Sequence, residues 1–135
     1  MQKKTKKNFS VLESLCIFAI GYDNEKGMVD ILLLEEAERF IYNLQPKARL
    51  KIIRTLDFVK NGQVDKRLFK KLVGTDIWEF RTEYEGNAYR MLSFWDPRKK
   101  SLVVATHGFV KKTQKTPLKE ILKAENIRIE YLKGK

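Results

Sequence analysis

The sequence predicts an α+β fold: a small antiparallel sheet packed against an N-terminal helical hairpin, with a C-terminal helix. Three observations predict it. Two stretches with helical periodicity, residues 35–44 and 46–61, are separated by a single break. Alternating and β-branched stretches between residues 77 and 109 are joined by short turn segments. Finally, Thr116-Pro117 opens a last apolar-periodic run that reaches about residue 132.

From Met28 onward the elements follow in order. Val29-Asp30-Ile31-Leu32-Leu33-Leu34 reads as a first strand. Ala37, Phe40, Ile41 and Leu44 then recur at helical spacing, with acidic residues in the first turn, where they complement the helix dipole. Gln45-Pro46 breaks that helix and starts another, whose apolar stripe is Ile52, Leu56 and Val59. Asn61-Gly62 ends it, glycine being suited to a left-handed cap. Beyond it, Trp78, Phe80, Thr82 and Tyr84 share one face of a strand and Glu79 and Arg81 the other. Glu85-Gly86-Asn87 is a hairpin turn, residues 88–95 the return strand, and residues 96–100 turn into a third strand over 101–109. Together these strands form an antiparallel meander.

Composition bounds the class. With 135 residues, 43% hydrophobic and 11% aromatic, the chain is expected to form one folded domain, residues 28–135. Residues 1–27 stand apart as an N-terminal extension. Four lysines precede an apolar run there in the manner of a signal peptide, but Glu13 interrupts the run and no small-residue cleavage site follows. The single cysteine, Cys16, allows no internal disulfide, and no stretch has the length of a membrane span, so a cytoplasmic protein without membrane association is expected. One cysteine and one histidine do not make a zinc site, and no acidic metal cluster or cofactor-binding motif is visible. The formal net charge is +11. From Arg98 onward there are eleven Lys/Arg against three Glu, so +8 of the +11 lies in that last segment. Such concentration points to a polyanionic partner, either nucleic acid or an acidic protein.

The candidate chemistry gathers in two places. Arg81 and Arg90 sit in neighbouring strands across a short hairpin, where their guanidinium forks can grip a phosphate. Pairing with Glu79, Glu83 or Glu85 is the alternative role for them. The junction from His107 to Pro117 holds a histidine that titrates near neutrality, together with Lys111, Lys112 and Lys115. Mobile ammonium groups and a helix N-terminus can converge there on an anion. Tyr84, Tyr89 and Trp78 are candidates to stack on unpaired bases or, equally, to fill the core. Without a metal cluster, RNA cleavage through the substrate's own 2′-OH is the natural nuclease chemistry, because arginines and lysines can supply most of what it needs.

These residues also carry a resemblance. The runs Lys70-Lys71-Leu72-Val73-Gly74-Thr75-Asp76-Ile77-Trp78-Glu79-Phe80-Arg81, Tyr89-Arg90 and His107-Gly108-Phe109-Val110-Lys111-Lys112-Thr113-Gln114-Lys115-Thr116-Pro117 closely resemble the phage-derived RelE-like toxins of the HigB type, in the RelE/ParE superfamily. The likeness spans about Met28 to Tyr131. It implies a RelE-like fold and a type II toxin that cleaves mRNA on translating ribosomes, neutralised by a helix-turn-helix, HigA-like antitoxin. It further implies that Arg81, Arg90, His107 and Lys112 are catalytic, that Lys111, Lys115, Tyr84 and Tyr89 bind RNA, and that no cofactor or metal is used. Some superfamily relatives inhibit DNA gyrase instead, so a non-catalytic, ParE-like inhibitor of gyrase or another protein is the alternative.

Overall fold

Strand β1 (Asp30–Leu33) begins the part of the chain that a computed structural model describes, residues 28–63 and 65–134. The 1–27 extension lies outside the described residues. Helix α1 (Glu35–Tyr42) follows at once, with Glu35, Glu36 and Glu38 in its first turn and an Arg39–Glu35 ion pair at 3.0 Å. Helix α2 (Pro46–Lys60) starts on its proline and ends before Gly62, whose φ of 84° is the left-handed conformation expected there. Ile52, Ile53, Leu56 and Val59 turn its buried side to the sheet.

The sheet has five strands in the order β1-β5-β4-β3-β2. Strands β3 (Trp78–Tyr84), β4 (Asn87–Trp95) and β5 (Leu102–Lys111) form the expected antiparallel meander. The hairpin between β3 and β4 turns on Glu85 and Gly86, both with positive φ, which matches the twist of the paired strands. Two strand pairings complete the sheet. The first strand joins β5 in parallel, and a short β2 (Phe69–Lys71), unmarked by alternation, pairs with β3 through Phe69 stacked on Trp78 and Phe80.

Alternation divides the side chains between two cores. Helices α1 and α2 cover the face bearing Ile31, Leu33, Phe80, Tyr89, Met91, Val103 and Ala105. The other face holds Ile77, Leu92, Phe94 and Val104 beneath helix α3 (Leu118–Lys133), whose Ala124 is fully buried. A register shift at Leu92/Ser93 pairs Leu92 with His107 and Ser93 with Ala105, leaving Thr106 as the extra residue of a bulge. The bulge sends His107, Phe109 and Lys111 to the α3 face.

Two positions in the helical layer have measurable consequences. A Cβ on Gly108 would overlap the ring of Phe40, so this glycine is required by the close approach of α1 to β5. Gly108→Ala is expected to destabilise the fold by about 1–3 kcal/mol, read as a lowered urea midpoint. Glu38 is buried in α1, and neither carboxylate oxygen has a hydrogen-bond partner. Burial, with a smaller contribution from Glu35, raises its pKa to about 7. The proton therefore leaves the unfolded chain at lower pH than the folded one, and this group costs stability progressively as pH rises from 4.5 to about 7. Glu38→Gln should match the parent at pH 4 and exceed it at pH 8 by about 1–3 kcal/mol, measured by urea unfolding at both values.

Candidate nucleic-acid interface

The α3 face of the sheet is only partly roofed by its helix. Beyond the helix, Arg81 on β3 and Arg90 on β4 are direct cross-strand partners. Like charges placed this way repel unless a counter-charge separates them. Glu79, two residues back on the same face of β3, supplies it: Oε1 lies 3.5 Å from Arg81 Nε and 3.8 Å from Arg90 Nε. The other oxygen of Glu79 accepts a hydrogen bond from the Thr116 hydroxyl. A buried carboxylate thus ties β3 to the segment that leads into α3.

The two arginines are not equivalent. The Arg90 side chain is 6% exposed and donates to the Tyr89 carbonyl and to Glu83 Oε2, each at 3.0 Å. Its Nε is a buried donor without a hydrogen-bond partner, since Glu79 is too far to accept from it. Arg81 is 27% exposed and faces outward from the pair, its Nη1 reaching the Lys66 carbonyl at 3.4 Å. So Arg81 can meet a ligand directly, whereas Arg90 supports it from below. Ion pairing, the alternative role expected for these arginines, is present at both.

Lys111 ends β5 on the same face, opposite Ala88. Partial burial lowers its pKa, with Arg90 and Arg81 acting in the same direction and Glu79 and Glu83 against it. From there the chain leaves the sheet, and Lys112, Thr113, Gln114 and Lys115 are exposed. Thr113 donates to the Lys115 carbonyl at 2.7 Å, closing that turn. Lys70 on β2 stands opposite Glu79 at the sheet edge and is also exposed. The result is a cationic surface in which the buried carboxylate of Glu79 and the exposed one of Glu83 are both engaged with arginine.

Three expected site residues lie elsewhere. His107 lies in mid-strand and not at the strand end, because β5 continues to Lys111 through Phe109 and Val110. At 3% exposure it is enclosed under α3. Burial lowers its pKa, outweighing the hydrogen bond to Glu120, which raises it. Nε2 lies 2.9 Å from Glu120 Oε1 and Nδ1 lies 3.0 Å from the Thr106 hydroxyl, which itself donates to the Leu92 carbonyl at 3.1 Å. The histidine joins the helix to the sheet through Glu120. Tyr84 and Tyr89 point to the opposite face: Tyr89 is buried in the helical-hairpin core and Tyr84 packs against it. The period of two explains this, since both have the parity of Phe80 and Met91 and not that of Arg81 and Arg90. Neither ring is offered to a base on the arginine face.

Sequence reasoning offered Glu79 only as one of three alternative ion-pair partners for the arginines, and read Thr116 as a helix start and not as a partner of Glu79. The signal for Glu79 was its shared face with Arg81. For Thr116 there was a misleading one: Thr-Pro reads as a helix cap, yet Pro117 occupies the cap position and the threonine hydroxyl turns to Glu79.

Among the described residues no group of three or more His, Cys, Asp and Glu side chains is arranged to hold a metal ion, and no helix is long and apolar enough to cross a membrane. A search of curated proteins gives no match. The profile of the family described as phage-derived protein Gp49-like matches residues 39–128, a stretch that contains Glu79, Arg81, Arg90, Lys111 and Thr116. With two thirds of its length matched and an α+β architecture consistent with RelE-like folds, the chain belongs to the phage-derived Gp49-like family, a RelE/toxin-like family.

Proposed function

We propose that the protein is the toxin of a type II toxin–antitoxin pair, a ribosome-dependent endoribonuclease that cleaves mRNA and so stops translation. The observation that carries this reading is the cross-strand pair Arg81 and Arg90, held together by buried Glu79 and flanked by Lys111 on an open sheet face. In the proposed reaction the ribose 2′-hydroxyl gives up its proton to solvent water and its oxygen attacks the adjacent phosphorus while the bond from phosphorus to the 5′-oxygen breaks. The products are a 2′,3′-cyclic phosphate and a free 5′-hydroxyl. Charge builds on the non-bridging oxygens as the phosphorane forms, and donors already fixed in place stabilise it at no reorganisation cost.

Arg81 is the residue we assign to those oxygens, with Arg90 and Glu79 fixing its position. Lys111 is the assigned proton donor to the departing 5′-oxygen, since a lowered pKa makes an ammonium group a readier acid. Lys112 and Lys115, exposed on the segment that follows, hold the flanking phosphates. His107 is left out of the reaction because it is enclosed. An antitoxin with an acidic segment is the proposed regulator, since it must cover a strongly cationic surface.

Brief induction in a bacterial host, followed by mapping of new 5′ ends, tests the reading. Cuts confined to translated regions are expected. Growth arrest with intact mRNA and damaged DNA would replace it with the gyrase-inhibitor alternative. In vitro, RNA affinity should fall with salt at a log–log slope of about −3, the value for single strands contacting Arg81, Lys111, Lys112 and Lys115. A flat salt dependence would remove these cations from the interface.

A further inference from the structure

Helix α2 carries a second surface that the arginine face does not use. Its outer side presents Lys47, Leu50, Lys51, Arg54 and Phe58, all exposed, at three- and four-residue intervals. Leu50 is 49% exposed and Phe58 50%. The helix has one acidic residue, Asp57, and it is buried, so no carboxylate of the helix lies on this side. Among the described residues no ion pair neutralises Lys47, Lys51 or Arg54. Lys51 reaches only the Glu83 carbonyl, at 3.4 Å.

Leu50 and Phe58 are two turns apart, about 12 Å along the axis, which is the spacing at which an apposed amphipathic helix presents its own apolar side chains. Unneutralised cations beside and between those anchors call for carboxylates on the partner. A second copy of the chain fits poorly, because a two-fold interface through this face would set its cations against themselves. Nucleic acid fits poorly too, since Leu50 and Phe58 would be set against a charged phosphate backbone. We propose that the outer face of α2 binds an acidic amphipathic helix of a partner protein. Leu50 and Phe58 are its apolar anchors, and Lys47, Lys51 and Arg54 pair with carboxylates along its edges. The surface lies on the opposite side of the sheet from Arg81 and Lys111, so a partner seated there leaves the arginine face uncovered. The proposal does not depend on RNA cleavage.

The test uses the full chain and a synthetic helical peptide of about 20 residues, apolar on one stripe and glutamate-rich beside it, with a scrambled peptide of the same composition as control. Binding is followed by titration calorimetry and by backbone NMR. Expected are shifts along residues 46–61 and binding to the ordered peptide alone. Leu50→Ser with Phe58→Ser should weaken it at least about tenfold, both positions being exposed enough for the fold to persist. Arg54→Glu should weaken it similarly, and a peptide with lysine at the facing position should restore it. Equal binding of the scrambled peptide would overturn the proposal, as would shifts centred on Arg81 and Lys112. Protection of α2 by an RNA oligonucleotide in preference to the peptide would make the face a nucleic-acid surface. Self-association lost on replacing Leu50 and Phe58 would make it a contact between copies.

Discussion

Arg81→Ala is expected to lower mRNA cleavage by about 10²–10³-fold, the usual loss when one preorganised donor to a developing oxyanion is removed. Its effect on the fold should be small by comparison. The side chain is partly exposed, and its ion pair with Glu79 is one of several contacts that carboxylate makes. Glu79 would keep Arg90 and the Thr116 hydroxyl, so a loss of about 1 kcal/mol or less is anticipated. Arg81→Lys separates charge from geometry. A lysine at this position keeps the positive charge but lacks the planar fork, so activity between wild type and alanine is expected. The measurement is the yield of new 5′ ends after induction, with the protein level and the urea midpoint checked in parallel. Full activity in folded Arg81→Ala would remove this residue from the reaction and take the proposed site with it.

The largest loss of stability is expected from Glu79→Ala, about 3–5 kcal/mol, because removing one partner of a buried ion pair leaves the other charge uncompensated. Here the effect is compounded. Arg81 and Arg90 are direct cross-strand partners, and Glu79 is the carboxylate near both guanidinium groups; Thr116 also loses its acceptor. Glu79→Gln should cost less, since its amide oxygen can still accept from Thr116, although it neutralises neither arginine. Glu79→Leu combined with Arg90→Met should recover much of the loss, as an apolar replacement of a whole buried pair is often near neutral. Urea unfolding of the singles and the double closes the cycle. A cost below about 1 kcal/mol for the alanine variant would mean that water, not Glu79, separates the arginines.

The balance of charge in the cluster explains why stability and proposed activity are coupled there. Arg81, Arg90 and Lys111 exceed Glu79 and Glu83 by one positive charge, and Arg90 keeps a buried donor without a partner. An anion arriving at Arg81 would relieve the excess. Glu83 is the carboxylate with freedom to yield, being 68% exposed while it holds Arg90.

Much of the fold was legible in the chain because local physics wrote it there. Pro46 opens α2 and Gly62 closes it, and Glu85-Gly86 turns the hairpin. Trp78 to Tyr84 alternates as a strand with one covered face must. Those signals operate over a few residues, so tertiary context had little to overrule. The short β2 escaped notice because three residues cannot establish a period, and its place rests on the stacking of Phe69 against Trp78 and Phe80.

The site was legible only as an inventory of cations. Arg81 is where alternation puts it, on the face opposite Trp78 and Phe80, whereas Lys111, expected past the end of the third strand, is its last residue. His107, Tyr84 and Tyr89 looked available because residue type suggests chemistry without stating a face. Which side of the sheet each one takes depends on the register and on the bulge at Leu92/Ser93. Whether a side chain on that side is open or covered depends on where α3 lies, held by Glu120 to His107 and by Arg128 to Asp76 at 3.0 Å. Sequence by itself determined the elements other than β2, the basic charge and the presence of two arginines one hairpin apart. Only the tertiary structure decided that these arginines share a buried carboxylate, that one is exposed and one is not, and that the histidine is enclosed. The physical reason is distance along the chain: Glu79 meets Thr116 across 37 residues and His107 meets Glu120 across 13, separations at which packing, not local propensity, sets who touches whom.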